Sequence, residues 1–141
     1  MTSLSTISAK AEMKVRVLRC TNDLCVALED QYRGYSLRSA MRSNSKEPSQ
    51  YLQDRIQKLQ DGESNMEFHI QSGRKYHKIV QVDDGRVGSV HAFVDKETGE
   101  VYKPASWKSP AKHVRYDMRI IRQREAMLAN CDWAGGYLYL R

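Results

Sequence analysis

The chain has 141 residues, 40% hydrophobic and 28% charged, with a formal net charge of +6. That length and balance suit one domain with a modest core, and they exclude a disordered polyelectrolyte, a collagen-like chain and a coiled-coil rod. No apolar run approaches the ~18 residues of a membrane span, and the opening residues do not read as a signal peptide, so a single α+β domain over residues 1–141 with no membrane partner is expected.

Residues 1–12, rich in Ser and Thr, read as a flexible lead-in. Over 13–20 two patterns compete. Met13, Val15 and Val17 alternate with Lys14 and Arg16, which suits a short strand, and the segment stays open between strand and helix. Leu24, Leu28, Tyr32 and Tyr35 recur at helical spacing, with Asn22 or Asp23 as cap and Gly34 as stop, so a helix is predicted at about 23–33. Ser43 to Ser49 reads as a polar connector. A second helix is predicted at about 48–60, with Pro48 in its first turn, Leu52, Ile56 and Leu59 on one stripe and Asp61-Gly62 as stop.

The period then changes to two. Met66, Phe68 and Ile70 alternate with polar neighbours; a second strand runs from Tyr76 to Val82. Asp84-Gly85 signals a tight hairpin, because both residues tolerate positive φ. Val87–Val94 returns, Glu97-Thr98-Gly99 turns again, and Glu100–Lys103 closes an antiparallel β-meander of three to four strands at about 66–104. Pro104 and Pro110 bracket a loop or short helical turn, with Ser109 able to cap the next element. A third helix is expected at about 117–131, with Met118, Ile121, Met127 and Leu128 on a shared face. Tyr137–Leu140 reads as a final strand or an anchored tail.

Three cysteines, Cys20, Cys25 and Cys131, form no disulfide framework and no paired metal-ligand motif. They are expected to be small buried hydrophobes, and neither metal nor cofactor is called for. The four histidines could serve a nucleophile–base–acid set only if a cleft gathered His91 with Ser89 and a carboxylate such as Asp83, Asp84 or Asp95. No nucleophile-elbow pattern accompanies them, so the chain is read as a non-enzyme.

The charge is localised. Residues 103–124 hold seven basic groups against the single Asp117, a net +6 that equals the excess of the whole chain. Lys103, Trp107, Lys108, Lys112, Arg115 and Tyr116 interleave cations with aromatics there, as a nucleic-acid surface requires: cations for phosphates, rings for bases. Ser106 and Ser109 could donate to phosphate oxygens. Arg74, Lys75 and Lys78, following Gly73, form a second basic group that would join the first if the meander places them side by side. The competing expectation puts Trp107 and Tyr116 in the core with the cations in water. For Asp132–Tyr139, packing against the sheet competes with a partner-binding patch.

Those same stretches carry a resemblance. Gly73-Arg74-Lys75-Tyr76, Ser89–Asp95, Thr98–Lys103, Ala105–Lys108 and Pro110–Lys112, with Asp132–Tyr139, are similar to a family of small, uncharacterised proteins of tailed bacteriophages. The resemblance covers about residues 73–116 and 132–139 and carries no catalytic assignment. It implies a phage gene product acting in the host cytoplasm. Taken with the charge, it leads to an accessory protein that binds nucleic acid through a basic-aromatic surface. The alternative is a host-takeover protein that binds and modulates a bacterial host enzyme.

Overall fold

A computed structural model describes residues 4–140. Helix α1 (Leu4–Lys46) and helix α2 (Gln50–Gln60) precede strands β1 (Met66–Ser72), β2 (Tyr76–Asp83), β3 (Arg86–Asp95), β4 (Glu100–Tyr102) and β5 (Tyr116–Asp117). Helix α3 (Ile121–Asn130) and a 3-10 turn (Gly136–Leu138) end the chain. The strands form one antiparallel sheet in the order β1-β2-β3-β4-β5, the meander expected from the two-residue period.

The first helix is far longer than 23–33. It is already helical at Leu4, within the segment read as a lead-in, whose first three residues lie outside those described. The open segment 13–20 is helix. Val17 faces the core and Val15 faces water: positions two apart fall on opposite sides of a helix, whereas a strand would set both on one face. Gly34 does not stop α1. A glycine in a helix interior costs only about 1 kcal/mol, and buried Ser36 and Ala40 continue the packed face beyond it. The chain breaks instead before Pro48, which restricts the preceding residue to extended backbone. Ser49, not Pro48, opens α2: its side chain accepts from the Leu52 N–H at 3.1 Å.

Val17, Leu24, Cys25 and Leu28 of α1 pack on Met66, Phe68, Ile79, Ala92, Val94 and Val101 of the sheet, with Met118, Met127, Cys131, Tyr137 and Leu138 closing the core. The Glu29 carboxylate ties helix to sheet by accepting from the Phe68 N–H at 2.9 Å. All three cysteines are free; Cys25 and Cys131 are buried, and burial raises their thiols to about 12 and about 11. Among the described residues, no helix is long and apolar enough to cross a membrane.

Turn chemistry matches the sequence closely. Asp84 and Gly85 have φ of 53° and 80°, the two positive values of a tight hairpin. At the next turn Asp95 accepts from the backbone N–H groups of Glu97 and Thr98, and Gly99 takes φ 72°. A Cβ on Gly99 would lie 3.2 Å from the Met118 Cβ and 3.3 Å from a Val17 methyl. Gly99→Ala therefore combines left-handed strain with a core clash and is expected to cost about 2 kcal/mol. Urea unfolding checks this, and a loss below about 0.5 kcal/mol would refute it.

The remaining differences lie in the last third. Helix α3 starts at Ile121 instead of 117, because Tyr116 and Asp117 pair with β4 as a fifth strand. Ile121 is exposed and does not share the buried face of Met127. Ile120, not Ser109, occupies the N-cap position, without a side-chain bond. The tail is anchored and not a strand. Gly135 has φ 84°, and the Asp132 carboxylate accepts from the N–H groups of Gly136 and Tyr137. Trp133 packs on Tyr32 and Tyr35 of α1, with ring centroids 5.3 and 5.4 Å away. Packing is thus what the Trp-Ala-Gly-Gly-Tyr stretch does within the chain.

Candidate nucleic-acid interface

Residues directly opposite in an antiparallel sheet share a face, and successive residues alternate between faces. Ile79, Ala92, Val94 and Val101 face α1. Lys78, Phe93 and Tyr102, paired across β2, β3 and β4, therefore lie on the opposite face. Tyr76 is two residues from Lys78 and joins them, its ring 5.7 Å from Phe93 and 6.2 Å from Tyr102 in edge-on contacts. The result is an aromatic floor on the side of the sheet away from the α1 core.

The segment between the two prolines closes over this floor. Pro104 pairs with Pro110, and the Ala105 and Ser106 N–H groups both donate to the Ser109 carbonyl. Ser106 and Ser109 bond to each other at 3.1 Å, and Ser106 also accepts from the N–H groups of Lys108 and Ser109. The serines thus brace the loop in this structure. Trp107 stays 44% exposed, which places it outside the core. Lys78 Nζ sits 4.6 Å from its ring centroid and 5.7 Å from that of Phe93. A lysine between two rings keeps its charge at the surface while its methylenes cover apolar area.

Beside this stack an open groove of about 340 Å³ is lined by Gly73, Arg74, Lys75, Tyr76, Lys78, Phe93 and Lys108, with Gln71 and Ser72 at one end. The expected adjacency of the two basic segments is therefore present for Arg74, Lys75, Lys78, Trp107 and Lys108. Lys75 Nζ lies 5.4 Å from the Tyr76 ring. Burial, and then Glu100, Tyr76 and Asp95, raise the Tyr102 phenol, which stays a neutral donor at neutral pH.

The other predicted residues lie elsewhere. Lys103 rests 4.8 Å from the Tyr139 ring and lines a different groove with Gln81, Ser89, His91 and Pro104. Lys112 is exposed. Arg115 donates to the carbonyls of Leu138 at 2.6 Å, Lys112 at 2.7 Å and His113, so it clamps the tail to the loop. The Tyr116 hydroxyl donates to the Tyr137 carbonyl at 3.2 Å, and its half-buried ring lies 6.0 Å from that of Tyr137. Further along, Arg119 pairs with Asp117 at 2.7 Å, and its hydrogen bonds hold the Asp117 carboxyl below the usual range. Arg124 donates to the Met118 carbonyl at 3.1 Å. A charge cluster in the sequence is thus divided in space.

Tyr76 and Tyr102 stand at the edges of the two basic runs in the sequence, whereas Phe93 lies outside both. Only strand register could have found Phe93, because it is fifteen positions from Lys78 yet directly opposite it. His91 is buried, its Nε2 and the Tyr137 hydroxyl sharing a 2.8 Å hydrogen bond; it lines a groove with Ser89, but none of Asp83, Asp84 and Asp95 lines that groove. Among the described residues, no group of three His, Cys, Asp or Glu is placed to hold a metal.

No curated protein and no solved structure matches the chain. A family pattern does match, over residues 3–140, and the chain accordingly belongs to DUF7717, a family of unknown function.

Proposed function

We propose that this protein binds nucleic acid, without catalysis, through the groove beneath the 104–110 loop. The observation that carries the reading is the Lys78–Trp107 stack, with Arg74, Lys75 and Lys108 around one aromatic-floored groove. Four cations offer phosphate contacts, and a half-exposed indole offers a stacking face for a base. The setting we propose, the cytoplasm of an infected bacterium, rests on the sequence resemblance alone, since the matched family is one of unknown function.

Fluorescence anisotropy with labelled single- and double-stranded DNA and RNA tests it. Binding should appear at low salt and weaken steeply as salt rises. The triple variant Lys75→Ala/Lys78→Ala/Lys108→Ala should lower affinity at least tenfold and flatten the salt dependence, since each lost phosphate contact removes about one unit from the slope. The triple variant Lys112→Ala/Arg122→Ala/Arg86→Ala, of equal charge change, should bind nearly as the parent does. Absence of binding at low salt, or equal losses in the two triple variants, would overturn the proposal. Recovery of a stoichiometric host protein from nuclease-treated lysate, with no anisotropy change, would point to an acidic protein surface instead.

A further inference from the structure

The first helix has two apolar faces, and the fold uses one. Val17, Thr21, Leu24 and Leu28 recur at spacings of four, three and four and are buried against the sheet. On the opposite side Ala11, Val15, Leu18, Asn22 and Val26 recur at four, three, four and four. Val15 is 57% exposed, Leu18 41% and Val26 56%. Residues 8–12 are all exposed, so the start of α1 projects with little support from its own chain. A helix segment this short and unsupported is marginal in water. An apolar stripe with three- and four-residue spacing is the seam by which two helices pack side by side.

We infer that this stripe pairs with the same stripe of a second copy of the chain, the two α1 helices running antiparallel. Charge placement selects both the occupant and the direction. Glu12 and Arg19 flank the stripe on the same edge, one turn to either side of its centre. Antiparallel pairing about the Val15–Leu18 centre brings each edge against its own equivalent. Glu12 then meets Arg19 of the second copy, and Arg19 meets Glu12, so the pair occurs twice by symmetry. Parallel pairing would set each edge against the opposite one and bring Lys14 toward Arg19, a like-charge contact. The centre of the seam places Val15 on Leu18 of the second copy, and Ala11 beside Asn22, where a small residue leaves the amide room to reach water. The second copy would sit on the side of α1 away from the sheet, so the seam is independent of the basic groove.

Sedimentation velocity over a concentration series of the full chain tests this. The expected result is a reversible monomer–dimer equilibrium. Leu18→Glu should abolish the dimer while the monomer stays folded, with a cooperative thermal transition that no longer depends on concentration, because Leu18 does not face the core. Glu12→Arg alone and Arg19→Glu alone should each weaken dimerisation roughly tenfold, and the two together should restore it. A chain that stays monomeric at every concentration overturns the inference. So does a dimer insensitive to Leu18→Glu, or one that the double charge reversal fails to restore.

Discussion

Phe93→Ala is expected to destabilise the protein by about 3–5 kcal/mol. Phe93 is only 2% exposed, although it lies on the sheet face away from the α1 core. Its cover is built from the site itself: the Tyr76 ring at 5.7 Å and the Lys78 side chain, over which Trp107 rests. Truncation removes a large ring from beneath flexible cover, and the cover can collapse only partly because the Pro104–Pro110 bridge holds the loop ends. For a chain of this length the loss corresponds to roughly 10–15 °C in Tm. Phe93→Leu keeps most of the volume and should cost about 1 kcal/mol. It removes the aromatic surface under Lys78, so under the proposed function nucleic-acid affinity should fall more than stability does. Thermal unfolding and anisotropy on both variants check this. A loss below about 1 kcal/mol for Phe93→Ala would mean that the outer face contributes little to the fold.

The second large effect is on pH. Burial lowers His91 from 6.5 to about 4, with Asp132 opposing the shift. The ring is enclosed by Phe68, 5.2 Å away edge-on, and by Tyr137, stacked at 5.6 Å. Because the folded value lies below the ordinary one, the unfolded chain takes up the proton first. The contribution of neutral His91 is complete above pH 6.5 and is lost as pH falls from 6.5 toward 4. Each pH unit in that window carries about 1.4 kcal/mol, so the total is about 3 kcal/mol. His77 moves in the same direction, through burial and then through Lys96, and adds to the acid sensitivity. His91→Gln isolates the His91 share. The variant should be less stable than the parent at pH 7, and the gap should narrow by about 3 kcal/mol by pH 4. Parallel stability curves over that range would show that His91 does not titrate as its enclosure requires.

Both effects depend on residues whose surroundings were legible to different degrees. The Asp84-Gly85 hairpin and the α2 stripe were readable because their signals are local: positive φ at a turn and apolar spacing within one element. The length of α1 was not. Its two-sided apolar pattern blurs the helical period, and Gly34 imitates a stop that tertiary packing overrides. Strand β5 has two residues, too few for any periodic signal.

For the site, the sequence alone determined the inventory: a basic-aromatic loop between two prolines, a basic turn after Gly73, and a meander able to bring them together. Only the tertiary structure decided membership. Strand register set Phe93 and Tyr102 beside Lys78, and the loop bridge laid Trp107 over it. The same folding withdrew Arg115 to backbone carbonyls and Arg119 to Asp117. Formal charge adds along a sequence, but the field a ligand meets depends on where each cation ends and on which acceptor it has already found.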